Sequence, residues 1–302
     1  MPIPEIDPIV NLPMITPFDD QDRIDHDAIT RNVEKWMSAA DEGTPAVGIF
    51  LVGSASGEEW FLNENDKLEI LSTVKQTVGN DRCVMGGIDC PSVTETLKRA
   101  EAFVERGAEI VRIRIPRYEP VVLDYFQQVV PRCPVPILLM HQTNPERFGF
   151  AGTPAATPEV VGEVCSMDGV FGYTTDHDVR YEWRVGQQIP TGKRFWICNG
   201  SLILNGTLIG CNGTTTAFSN IWPAALHRLL RLGMAGEYRE AQELQTHIQK
   251  IDAIMLPYQA AGVKAAMNLL GFEGTHPRKP IRPFPEEKIP ELETALRNAG
   301  LA

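Results

Sequence analysis

The sequence predicts an α/β fold, a closed (β/α)8 TIM barrel with a C-terminal helical extension. Eight short apolar or β-branched runs alternate with stretches of helical period, which is the pattern of repeated βα units around a parallel sheet. Beyond about Pro223 the strand pattern stops and only helical stretches follow. A chain of 302 residues, 43% hydrophobic and 22% charged, is long enough to bury the core of one such barrel.

The expected strands are 11–15, 46–52, 83–88, 110–115, 136–140, 170–173, 195–198 and 213–216. Between the first two, Ile29, Val33, Trp36, Met37 and Ala40 recur at helical spacing. Ser92 with Glu95 has the form of a capping box before the helix that follows the third strand. Thr157 before Pro158 puts a cap and a first-turn proline in the favoured order. Helical stretches near 224–234, 237–255, 259–270 and 285–299 give the eighth barrel helix and then the extension, with the proline-rich 277–285 as a loop. The expected division is a barrel over 1–234 and an extension over 235–302 packed on it.

A formal charge of −11 with no Lys/Arg-rich tract argues against nucleic acid and anionic membrane as partners, because phosphate surfaces are bound by clustered cations. Six cysteines without a CxxC pair suit a reducing compartment. The first residues lack the basic and apolar regions of a signal peptide, and no apolar run reaches the ~18 residues a membrane span needs. A cytoplasmic protein that handles small molecules is the expectation.

Several ordered motifs carry a more specific likeness. They are Thr16-Pro17-Phe18 with Ile24-Asp25, the GSASGE run at 53–58, Arg106-Gly107-Ala108, Ile115-Pro116-Arg117-Tyr118, Arg147-Phe148-Gly149, Gly210-Cys211-Asn212-Gly213, and Asn220 with Pro223. In that order and spacing, through nearly the whole chain, the sequence resembles the dihydrodipicolinate synthase and N-acetylneuraminate lyase family. The resemblance implies a homotetramer or homodimer and a small carboxylated metabolite as ligand, and it implies no cofactor. It also implies that 53–58 grips a keto-acid carboxylate through hydroxyls and backbone N–H groups, that Tyr118 assists a proton relay, and that Arg147 meets the substrate's second polar end.

The chemical centre departs from the family pattern. Thr174 stands where the resemblance expects the Schiff-base lysine, and a hydroxyl cannot form an imine with a keto acid. Aligned from Gly57-Glu58, the loop keeps the Ser56 hydroxyl but has Ala55 where the family has a second one. Met140-His141 replaces a relay tyrosine, and Lys264 matches a position read as structural. An imidazole at His141 could serve as general acid or base, or it could be a hydrogen-bonded barrel residue.

Strand ends and the loops after them converge on one mouth of a barrel. The candidate catalytic residues are therefore Tyr118, His141 and Thr174, and the candidate substrate-binding residues are Ser54, Ala55, Ser56, Asp89, Arg114, Arg147 and Thr215. Arg112 and Arg114 share one face of their strand by period two. An internal ion pair with Asp89 or Glu58 is expected for Arg112, while Arg114 is open to either a pair or a substrate carboxylate. Asp176 and His177 lie near His141 but lack metal-ligand spacing, and no metal is expected. Two functions are consistent with these residues: a diverged lyase on a small oxo- or hydroxy-acid without an imine, or a non-catalytic barrel that binds a carboxylated metabolite.

Overall fold

The computed structural model describes residues 7–89, 92–141, 155–175 and 178–301. Eight parallel strands close into a barrel: β1 (Ile9–Pro13), β2 (Ile49–Val52), β3 (Cys83–Ile88), β4 (Ile110–Arg114), β5 (Ile137–His141), β6 (Val170–Thr175), β7 (Arg194–Ile197) and β8 (Gly213–Thr215). Each pairs with its neighbours in sequence, and β1 closes the ring by pairing with β8 at Asn11 and Thr215. At this seam the buried Asn220 side chain accepts from Ile15 N–H at 3.0 Å and donates to Pro13 O at 2.9 Å, so the loop after β8 holds the end of β1.

The helices among the described residues are α1 (His26–Met37), α2 (Glu64–Val78), α3 (Val93–Glu105), α4 (Val122–Val129), α5 (Pro158–Cys165), α6 (Val179–Gly186), α7 (Ile203–Leu208), α8 (Pro223–Ala235), α9 (Tyr238–Met255), α10 (Ala260–Leu269) and α11 (Ile289–Asn298). Their starts follow local chemistry. Ser92 accepts from Glu95 N–H, Thr157 accepts from Val160 N–H ahead of Pro158, and Asp178 accepts from Arg180 and Tyr181 N–H. One expectation needs correction at α1. The helix ends at Met37, and Ala40, exposed, turns instead into a small antiparallel hairpin of Ala40–Asp41 with Thr44–Pro45.

Two apolar layers result from the strand alternation. Ile9, Ile49, Leu51, Cys83, Met85, Ile110, Leu138 and Trp196 fill the barrel, with the Phe171 ring edge-on to Trp196 at 5.6 Å. The opposite faces, with Val111, Ile113, Ile137, Leu139 and Tyr173 among them, pack against the surrounding helices. This parity decides which side chains reach the mouth. On β6 it shifts once: Ile137 pairs with Val170 but Leu138 with Gly172, so Thr174 joins the inward set beside Met140 and Trp196. No helix among the described residues is long and apolar enough to cross a membrane.

Candidate active site

The mouth is the C-terminal rim of the barrel, where Gly53 opens the loop after β2. Gly53 has φ +78°, and the loop then bends back so that Gly57 N–H points at the Ser54 hydroxyl at 3.4 Å. Thr16, after β1, donates its hydroxyl to Gly57 O at 2.8 Å. A side chain at 57 would put a Cβ 2.4 Å from Met14 O, so glycine lets the loop press on the end of β1. Ser54 is buried while Ala55 and Ser56 are partly exposed.

Glu59, just beyond this loop, organises a charge cluster at the rim. Buried, it pairs through Oε2 with Arg112 Nη2 at 3.0 Å and through Oε1 with Arg114 Nη2 at 2.7 Å. Burial alone would raise its carboxyl, but the two guanidiniums, Arg112 and then Arg114, outweigh that and hold it below the ordinary carboxylate range. Arg112 also donates to Gly53 O at 2.5 Å. It reaches that oxygen only because Gly87 has no side chain: a Cβ there would lie 2.0 Å from Gly53 O and 2.5 Å from Arg112 Nη2. Arg114 further pairs with Asp89, which is 33% exposed at the rim and is approached by Arg117 at 3.4 Å. The Trp60 ring lies 5.9 Å from the Arg114 guanidinium.

The expected ion pair of Arg112 is thus present, but its carboxylate is Glu59 rather than Asp89 or Glu58. Glu58 turns the other way, to Lys264. Two consecutive acidic residues after a glycine cannot be told apart by pattern; the left-handed backbone of Glu58, φ +61°, sends the two side chains in different directions.

Across the mouth, Thr174 faces inward and shares a hydrogen bond with Cys198 Sγ at 3.1 Å. Thr215 accepts from Asn11 Nδ2 at 3.1 Å. No inward-facing position among the described residues of the eight strands is a lysine. Tyr118, after β4, is 65% exposed.

His141 does not join this set, which corrects the expectation that it stands in for a relay group at the mouth. β5 runs one residue further than expected, and period two then turns His141 to the outer face, in register with Thr175. There it is buried against Tyr173 and Tyr181. Ala155 N–H donates to its Nε2 at 3.0 Å, and its Nδ1 lies towards the hydroxyls of Tyr173 at 3.2 Å and Tyr181 at 3.4 Å. Arg147, Asp176 and His177 lie outside the described residues.

The family model described as the dihydrodipicolinate synthetase family matches residues 9–299, from β1 through the end of the extension. The chain belongs to the dihydrodipicolinate synthetase family. Among its relatives in this family are an uncharacterised DapA-like lyase of Halobacterium salinarum, 26% identical with 96% of this chain and 93% of that protein covered, and a 4-hydroxy-tetrahydrodipicolinate synthase of Exiguobacterium sp., 24% identical with 94% of each covered. Solved structures repeat the fold. A monomeric dihydrodipicolinate synthase variant superposes with a TM-score of 0.89 at 20% identity, covering 100% of this chain and 99% of the other. CdNal of Clostridium difficile, in complex with mannosamine, gives 0.82 at 16% identity, covering 96% and 98%. The chain is a lyase-family barrel of the dihydrodipicolinate synthase type.

Proposed function

We propose that this protein is a cytoplasmic lyase that acts on a small oxo- or hydroxy-carboxylic acid without forming a lysine imine. The observation that carries the reading is Thr174, inward on β6 at the position where the family resemblance expects the Schiff-base lysine, with no lysine among the described residues of the eight strands. In this reading the loop from Ser54 to Ser56 receives the substrate carboxylate with hydroxyl and backbone N–H groups. The Thr174 hydroxyl, already on Cys198 Sγ, orients the oxo or hydroxy oxygen.

In this reading Tyr118 is the proton-transfer group on the exposed side, and Asp89 and Thr215 are substrate contacts. The cation comes from Arg147, or from Arg114 when a substrate carboxylate takes the place of Asp89. His141 has no part in the chemistry, because both ring nitrogens face protein groups. The expected assembly is a homodimer or homotetramer, which sedimentation velocity reports.

Incubation with pyruvate and borohydride, read by intact mass, tests the mechanism. No adduct is expected, and a stoichiometric adduct on one lysine would overturn the reading. A panel of oxo- and hydroxy-acids assayed for cleavage, with calorimetry on Arg147→Ala and Arg114→Ala, tests the rest. Removal of the operative arginine should weaken binding about tenfold or more. Saturable binding with no turnover of any member would instead identify a carboxylate-binding barrel.

A further inference from the structure

The backbone of Glu58 is left-handed, with φ +61°, a conformation glycine tolerates far better than glutamate. A glutamate rather than a glycine in that conformation points to a use for its side chain. Both oxygens of that buried carboxylate are engaged by the C-terminal extension: Oε1 lies 2.6 Å from Lys264 Nζ on α10, and Oε2 accepts the backbone N–H of Arg278 at 2.7 Å. Lys264 is buried as well. Its ammonium donates to His276 O at 2.7 Å and stands 4.5 Å over the ring of Phe18, which follows β1. Arg278 continues outward, donating to Phe61 O at 2.8 Å and pairing with Asp66 at 3.0 Å.

A buried ion pair contributes little net stability compared with apolar residues of the same volume, because desolvation offsets the attraction. What such a pair does supply is direction. Here it holds one end of the 53–58 loop, whose other end is fixed by Gly53. A second grip by the same extension repeats the arrangement at the loop after β7. From α9, Gln245 donates to Gly200 O at 2.9 Å and accepts from Leu204 N–H at 3.0 Å, while Asp252 accepts from the Ser201 hydroxyl at 2.9 Å.

We infer that Lys264 and Glu58 are positioning residues for the carboxylate-binding loop, so that the C-terminal extension sets the binding geometry of the mouth rather than merely covering the barrel. The inference rests on the reading of 53–58 as that loop. Lys264 touches no substrate; it acts through Glu58, which fixes the turn that presents Ser54 and Ser56. The ligand class is a small carboxylate, and the extension contributes to its affinity at a distance.

The test uses the full chain with Lys264→Met, Lys264→Arg and Glu58→Gln, the last keeping an acceptor for Arg278 N–H should the lysine variant fail to fold. Hydrogen exchange of the peptide spanning 53–61 is measured by mass spectrometry, with the peptides of α2 and α9 as controls, and pyruvate and 2-oxoglutarate are titrated by calorimetry. Exchange in 53–61 is expected to rise about tenfold in Lys264→Met and Glu58→Gln while the controls stay within twofold. Affinity for whichever acid the parent binds should fall at least tenfold, and Lys264→Arg should recover most of both effects.

Unchanged exchange in 53–61 overturns the inference. So does a freed loop that binds as the parent does, or exchange that rises equally in the controls, which would show a purely structural pair. If the parent binds neither acid, the reading of the mouth as a carboxylate site fails for these probes. The exchange measurement then still decides whether the pair orders the loop.

Discussion

Glu59→Gln is expected to destabilise the fold by about 3–5 kcal/mol, the range for removing one partner of a buried ion pair and leaving uncompensated charge. Two guanidiniums depend on this carboxylate, each with a nitrogen within 3.0 Å of it, and all three side chains are nearly or wholly shielded from water. Glutamine preserves shape and offers one acceptor oxygen, so the loss is of charge. Asp89→Asn gives the internal comparison: it removes a carboxylate from the same Arg114, but one that is 33% exposed at the rim. Solvent screening limits that loss to about 1 kcal/mol or less.

Urea denaturation followed by circular dichroism measures both at pH 7, with slopes checked for equality so that midpoints can be compared. The parent should also lose stability in acid. The folded-state value of Glu59 lies below its unfolded value, so its contribution is complete above the ordinary carboxylate pKa and disappears as pH falls through the depressed one. Glu59→Gln should flatten that acid limb. Equal and small losses in the two variants, under about 1 kcal/mol each, would show that the arginines are held by something other than Glu59 and would refute the charge argument.

Two further outcomes follow from the same geometry. Gly87→Ala should destabilise by roughly 1–3 kcal/mol although alanine is the better strand residue, because its Cβ would meet Gly53 O and the Arg112 guanidinium; a neutral or stabilising result by thermal melting would remove the crossing of Arg112 over β3. Burial holds the Lys264 ammonium down at about 8, against an ordinary 10.5, so between those values the unfolded chain binds more protons and stability should rise with pH, by up to about 3 kcal/mol. The difference between parent and Lys264→Met, measured in urea from pH 7 to 10.5, isolates this slope, and parallel curves would contradict it.

Most of the barrel was legible because each strand is a short apolar or β-branched run bounded by turn residues, and because parity along β4 places Arg112 and Arg114 together. The rest was hidden for definite reasons. The apolar run that marks this strand stops at Met140, which leaves His141 free for the mouth; pairing continues one residue further, and period two then turns its side chain outward. The hairpin at 40–45 has strands of two residues, too short for any periodicity. Glu59 could not be distinguished from Glu58 without the left-handed turn between loop and helix. The pairing of Glu58 with Lys264 spans most of the chain, and nothing local to either residue announces it.

The closure of the ring has a consequence for how the chain is made. One edge of β1 is satisfied by β2 soon after synthesis, but its other partner, β8, lies about 200 residues later, with Asn11 opposite Thr215. At the ~5–20 residues per second of translation, that edge waits roughly 10–40 s with its backbone groups open to any other strand. Asn220, which holds the end of β1 against the loop after β8, emerges last of the seam's residues. Until it does, the β8-facing edge of β1 has no partner within the chain, and an unpaired strand edge is the kind of backbone that can pair with a neighbouring chain.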